Sequence, residues 1–404
     1  MSPRLRPRRT SEIPVALWLS TATEKHRGIV RGLAEFAQAN PRVRVYRFAK
    51  AVPLSPTALA GLGIRGVIAA AETSADLRAL LALRRPFVNL TGQKRLAGVT
   101  TIRTDDEAVG RLAAHYFFRR GYRHLAYCGD AAYEGSILRE KGMRLMSARL
   151  GTSFHRNQAS SLDLAGRNPR GERTRIARWL RQLPRPVGIF VLSDEVCQHL
   201  VELCERAGLD VPDEVAVLGA NIDQTHLALS SMQISSIELN TREIGRRAGQ
   251  ILLEIIEGRR RRAEEVLVRP LKIMTRRSTD RCAVEDRLVA EAVEFIREHA
   301  AEPISVPDVL RAVASSRRRL ELRFRAALNR SVYAEIQRQH FDRALELMVE
   351  PERSLSEIAY ESGFRNPRHL SVAFRTRLRI TPGAFRRKLL AGRAGPGVLD
   401  AAFK

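Results

Sequence analysis

From Ile13 onward, short apolar runs alternate with amphipathic stretches. VALWLS (residues 15–20) is almost wholly apolar and reads as a buried strand. In EKHRGIVRGLAEFAQ (residues 24–38) Ile29, Leu33 and Phe36 recur every three or four positions, which predicts a helix with one buried side. GVIAA, PFVNL, VTTIRT, HLAYCG, VGIFVLS and VAVLGA repeat the strand pattern. Residues 106–120, 173–183 and 195–207 repeat the helical one. Alternation of this kind predicts an α/β unit with doubly wound parallel sheets. It ends near Met274.

A different period then takes over. Residues 287–300 and 308–313 read as helices, and a small-residue turn at Ala314 and Ser315 leads to Ser316, a predicted N-cap. Leu320, Phe324 and Leu328 follow at intervals of four, so they share the buried side of one helix. At about 100° per residue, Arg318, Leu322 and Arg325 project away from that stripe, and Asn329 is placed to end the helix. A long helix over 332–348, with Ile336, Ala344 and Leu347 inward, precedes a second copy. There 356–360 is the short helix, Gly363 the turn, Asn366 the cap and Pro367 the first helical residue. Leu370 and Phe374 take the parts of Leu320 and Phe324, while Arg368, His369, Ser371 and Val372 lie away from or beside the core. The last third is therefore an all-α domain with two helix-turn-helix motifs. The expected divisions are a basic arm 1–12, an α/β domain 13–274, a linker 275–286, an all-α domain 287–390 and a tail 391–404.

Charge changes this picture less than its size suggests. The 404 residues carry 69 basic and 44 acidic side chains, a net +25, which favours polyanion partners. Residues 282–404 hold only 22 basic against 16 acidic, so placement rather than net charge has to identify a nucleic-acid surface. Cys128, Cys197, Cys204 and Cys282 have no metal-binding spacing and read as buried small hydrophobes in a reducing compartment. GLGIRG sets Gly61, Gly63 and Gly66 at GxGxxG spacing, but they precede a strand instead of following one, so they read as a turn and not a dinucleotide site. No stretch is long and apolar enough to span a bilayer, and the basic N-terminus lacks a cleavage site. A soluble, cytoplasmic protein without membrane contact is expected. A phosphate-cradling loop, a nucleophile elbow and a metal cluster are all missing, which argues against an enzyme and implies no cofactor.

The first two-thirds resembles the sugar-sensing core of LacI/GalR-type repressors and periplasmic sugar-binding proteins. The resemblance rests on TDDEAVGRLAAHYFFRRGYRHLAYCGD (104–130), SILREKGM (136–143), FVLSDEVCQHLVELCERAGLDVPDEVAVLGANID (190–223) and SSIELNTREIGRRAGQILLEIIEG (235–258). It implies two lobes with a small sugar held between them. Arg139 and Asp194 match family positions that hold ligand hydroxyls, and Asn221 stands where aspartate is usual. Ser20, Thr21 and Asp105 fall at strand ends facing the expected cleft, and Trp18 is either a stacking surface or core. Carboxylates, guanidiniums and amides supply the paired donors and acceptors that sugar hydroxyls require.

Residues 287–388 resemble the AraC-type DNA-binding domain, most specifically through LSEIAYESGF, HLSVAF and ITPGAFR. That resemblance implies two recognition helices in successive major-groove segments of double-stranded promoter DNA. Arg318, Glu321 and Leu322 in the first motif, and Arg368, His369 and Ser371 in the second, match positions that approach base edges. Val372 lies beside them, and Arg317, Arg323 and Arg375 are placed for phosphates. His340 and Arg379 depart from the family's usual arginine and glycine at positions that read as structural. RRSTD (276–280) joins the two parts as it does in the family of bacterial xylose-operon activators, which the whole arrangement resembles. The resemblance implies a homodimer that recruits RNA polymerase under control of a pentose or similar small sugar, xylose among them. The alternative is a soluble sugar-binding or sugar-metabolising protein with no DNA-directed function.

Overall fold

The structure is a computed structural model that describes residues 12–90, 98–158, 169–223, 228, 230–260, 262–280, 286–328, 330–348 and 352–390. It divides into two compact units, residues 1–114 with 124–280 and residues 115–123 with 281–404.

The first unit holds two six-stranded sheets. One is built from β1 (Ile13–Trp18), β2 (Val43–Phe48), β3 (Gly66–Ala69), β4 (Phe87–Asn89), β5 (Thr100–Thr104) and β11 (Glu265–Val268), in the order β11-β5-β4-β3-β1-β2. Every neighbouring pair is parallel. Alternate residues of β1 serve opposite faces, as a strand's two-residue period requires. Val15 and Leu17 pack with Ile29, Leu33 and Phe36 of α1 (Glu24–Ala39) and with Ile244, Ala248 and Leu252 of the helix Thr241–Ile256. Ala16 and Trp18 pack on the other face with Leu59, Ile64 and Leu80. Those two helices cross closely because Gly32 and Gly245 meet the other helix's backbone. A Cβ there would lie 1.8 Å from Arg242 O and 2.0 Å from Ile29 O. Trp18 is core: its indole N–H donates to Val52 O at 3.0 Å. Gly63 makes the predicted turn at φ +61° and Gly66 opens β3, so no dinucleotide loop forms there.

The second sheet comprises β6 (His124–Gly129), β7 (Ser153–Gln158), β8 (Val187–Val191), β9 (Val215–Ala220), β10 (Ser235–Ile237) and β12 (Ile273–Met274), ordered β12-β10-β9-β8-β6-β7. Only β12 runs antiparallel to its neighbour. Cys128, Cys197 and Cys204 are buried inside this lobe's core; Cys282 lies outside the described residues. The linker expected from 275 carries lobe contacts as far as Thr279. A single 3-10 turn (Arg277–Thr279) buries Ser278, which donates to Val217 O and accepts from Ser235 N–H at 2.7 and 2.8 Å.

The second unit contains two small cores on one shared helix, Val332–Leu347. Its first half contributes Val332 and Ile336 to a cluster with Val289, Ile296, Val309, Leu320 and Phe324. Its second half contributes Phe341 and Ala344 to another with Ile358, Phe364, Leu370, Phe374 and Phe385. Leu355–Glu361 and Pro367–Leu378 form the second motif, and Val306–Ala312 and Arg317–Leu328 the first. Each short helix opens on a capping box, Ser305 with Asp308 and Ser354 with Glu357. Ser316 and Asn366 cap the second helices by accepting from Arg319 N–H at 3.3 Å and His369 N–H at 3.0 Å. Asn329 lies outside the described residues.

Candidate ligand cleft and nucleic-acid interface

The cleft residues come from the ends of strands and the helices that follow them. α4 (Asp106–Arg119) starts directly after β5, and Asp105 caps it by accepting from Ala108 N–H at 2.9 Å. Asp106 is buried and accepts from Arg139 Nε at 2.8 Å; Arg139 also donates to Leu192 O at 2.6 Å. Arg139 is 2% exposed, so this pairing ties α4 and the helix Glu134–Leu150 into the second lobe. Ser20 and Thr21 lie in the half-exposed loop before α1, where Ser20 Oγ accepts from Ala22 N–H and Thr21 O accepts from Arg27.

Asp194 opens the helix Asp194–Arg206 and is 1% exposed. One of its carboxylate oxygens accepts from Asp223 N–H at 2.7 Å, while Oδ1 has no hydrogen-bond partner among the described residues. Burial, opposed by bonds from Ser236 and Asp223 N–H, lifts its pKa to about 7. Asn221, just after β9, sits at φ +100° and its buried Oδ1 is likewise unpartnered. Asparagine tolerates a positive φ better than most residues.

Several neighbours carry no sequence signal. Glu24 N–H and Arg27 reach Asp223 Oδ2 at 3.3 and 3.5 Å, and Lys25 Nζ donates to Tyr133 OH at 3.0 Å. These bonds run from α1 of the first lobe to the second. Thr104 Oγ1, Glu134 Oε2 and His26 Nδ1 are buried without partners among the described residues. Burial and the Lys25 and Lys50 ammoniums lower His26 to about 4, so it is neutral at pH 7. In the sequence Lys25 and Arg27 look like the solvated side of an amphipathic helix; in the fold they also reach Tyr133 and Asp223 of the second lobe. Buried hydrogen-bonding groups without partners are rare, and several around one junction of lobes suit a polyhydroxylated ligand.

In the second unit Leu320, Phe324 and Leu328 are buried, as are Leu370, Phe374 and Leu378. Arg317, Arg318, Arg368, His369 and Arg375 are exposed, and Leu322 and Val372 are 72% and 54% exposed. Ser371 is partly shielded. Two of the expected DNA contacts are also engaged within the domain. Arg323 Nε pairs with Asp286 Oδ2 at 2.7 Å, and Glu321 lies 4.0 Å from Arg325. Arg379 ends its helix at φ +58°, donating N–H to Arg375 O at 3.1 Å, which accounts for a position where glycine is common. Among the described residues no cluster of His, Cys, Asp and Glu is placed to hold a metal ion, and no helix is long and apolar enough to cross a membrane.

Residues 114–279 match the family model of the periplasmic binding protein-like domain, and residues 309–388 that of a helix-turn-helix domain. The xylose operon regulatory protein of Escherichia coli K12 is 28% identical over 328 residues, covering 80% of this chain and 83% of that protein. The protein of the same name from Haemophilus influenzae is 32% identical over 215 residues, 53% of this chain and 56% of its own. Among solved structures, that of the xylose-binding transcription activator XylR superposes with a TM-score of 0.61 at 26% identity, covering 94% of this chain and 98% of the other. The chain thus has the architecture of the xylose operon regulators, a periplasmic-binding-protein-like sensor followed by an AraC-type helix-turn-helix domain, and it is a DNA-binding transcriptional regulator, not an enzyme.

Proposed function

We propose that this regulator activates transcription from promoter DNA in response to a pentose, D-xylose being the first candidate, held between the two sensor lobes. The observation that carries the reading is the pair of buried oxygens of Asp194 and Asn221 that have no hydrogen-bond partner among the described residues. They lie in a chain whose relatives are named for the xylose operon over most of its length. Asp194, Asn221 and Arg139 line the second lobe's side of the cleft, and Ser20, Thr21 and Asp105 the edge of the first. The bonds from α1 to Asp223 and Tyr133 supply a difference between open and closed lobes, and a ligand shifts that equilibrium only by its difference in affinity for the two states. The active species is a cytoplasmic homodimer that sets two DNA-binding domains on tandem sites and recruits RNA polymerase. Arg318, Leu322, Arg368, His369, Ser371 and Val372 face the bases; Arg317 and Arg375 face phosphates.

The test is a thermal-shift screen of the full chain against pentoses and hexoses, with promoter-DNA binding followed across a salt series. One pentose is expected to raise the melting temperature and change DNA affinity. Absence of a response to every sugar would remove the sensor reading, and DNA binding indifferent to sequence would remove the regulator reading.

A further inference from the structure

The two recognition helices repeat an outward pattern as well as a buried one. Fifty positions separate Leu320 from Leu370, Phe324 from Phe374 and Leu328 from Leu378, the buried stripe. The same interval relates Arg318 to Arg368, Leu322 to Val372 and Arg325 to Arg375, all exposed. The positions between are not kept: Arg319 answers to His369, Glu321 to Ser371, Arg323 to Ala373 and Ala327 to Arg377. The outward triad therefore repeats where its immediate neighbours do not. Residues i, i+4 and i+7 share one helix face, so each helix shows a large apolar side chain between two arginines.

The arginines have charge to give. Many guanidiniums of the same unit are held by carboxylates, including Arg311 by Asp308, Arg323 by Asp286, and Arg330 and Arg338 by Glu335. Arg318, Arg368 and Arg375 have no carboxylate within salt-bridge distance among the described residues. A positive face on which three of the four outward arginines carry no carboxylate suits the duplex, and the apolar side chain at its centre has one apolar feature to meet in the major groove, the thymine C5-methyl.

We infer that each recognition helix reads a thymine methyl group, seated on Leu322 in one element of the operator and on Val372 in the other, beside a guanine held by Arg318 or Arg368. The two elements lie about one helical turn, roughly 10 base pairs, apart. This rests on the regulator reading above and adds the base that each helix requires.

The experiment selects binding sites for the full chain from a random duplex library, then replaces each thymine of the selected site, one at a time, by deoxyuridine, which lacks only the methyl. One replacement in each element is expected to weaken binding about fourfold, the worth of burying one methyl group. Leu322→Ala should abolish that penalty in one element and keep it in the other, and Val372→Ala the reverse. Both side chains are exposed, so neither variant opens a core. Sites indifferent to uracil, or penalties unchanged in both variants, would overturn this inference alone. A selection that enriches no sequence would overturn it together with the regulator reading.

Discussion

The first helix-turn-helix motif turns on Ala314 and the second on Gly363, at φ +46° and +76°. The first turn is exposed, and the left-handed conformation costs alanine about 1 kcal/mol. The second is covered. The His340 ring and Glu302 O lie against it, the ring edge-on to Phe364 with centroids 5.8 Å apart. Space, more than φ, demands glycine there: a Cβ at 363 would meet His340 Nε2 at 2.5 Å and Glu302 O at 2.7 Å. Two motifs with the same stripe and the same kind of cap therefore differ in what lies over their turns. Glu302 precedes the first motif and Gly363 belongs to the second, so their close approach joins the two halves of the domain.

The strongest challenge to this picture of two halves is core truncation. Phe324→Ala and Phe374→Ala should each cost about 3–5 kcal/mol in denaturant unfolding. They belong to separate clusters, so the double variant should lose the sum to within about 0.5 kcal/mol. A much larger departure would mean one continuous core. Next, Gly363→Ala should cost about 3 kcal/mol, combining the contact with His340 and the positive φ; a loss near zero would show that His340 moves aside freely.

Acid should strike the first half harder. Glu335 is buried between Arg330 at 2.6 Å and Arg338 at 2.9 Å. Burial opposes its charge, yet the two guanidiniums hold its pKa at about 2. A depressed carboxylate stabilises the fold above its unfolded value and loses that contribution as pH falls through the folded one. Melting temperature should therefore drop between pH 4.5 and 2, and Glu335→Gln should flatten that drop while lowering stability at pH 7. The smallest effect belongs to Ala314→Gly. Relief of the positive φ outweighs the added freedom of the unfolded chain, and about 0.5 kcal/mol of stability should be gained. A loss would mean that the alanine methyl is packed.

The strands of the two sensor sheets with four or more consecutive apolar residues were legible in the sequence, as were both recognition helices. β2, β7 and the short closing strands β10 and β12 were not, although a short strand before Pro270 (β11) was. VRVYRF and SFHRNQ lie at or beside sheet edges with much polar surface, and β12 has two residues, too few for a pattern. In the cleft, Asp194 and Asn221 were found through a family resemblance. Lys25, Arg27 and Asp223 meet only through tertiary folding.

By itself the sequence determined which side of each long helix is buried, where the helices start, and that a sheet-forming α/β unit precedes two helix-turn-helix motifs. Those properties follow from spacing and capping within a few residues of one another. Tertiary structure alone decided that Arg139 pairs with Asp106, that Arg323 pairs with Asp286, that Asp194 Oδ1 has no partner among the described residues, and that glycine is obligatory at 363 but not at 314. Each depends on which distant atom occupies the adjoining space, and periodicity along the chain carries no information about that atom.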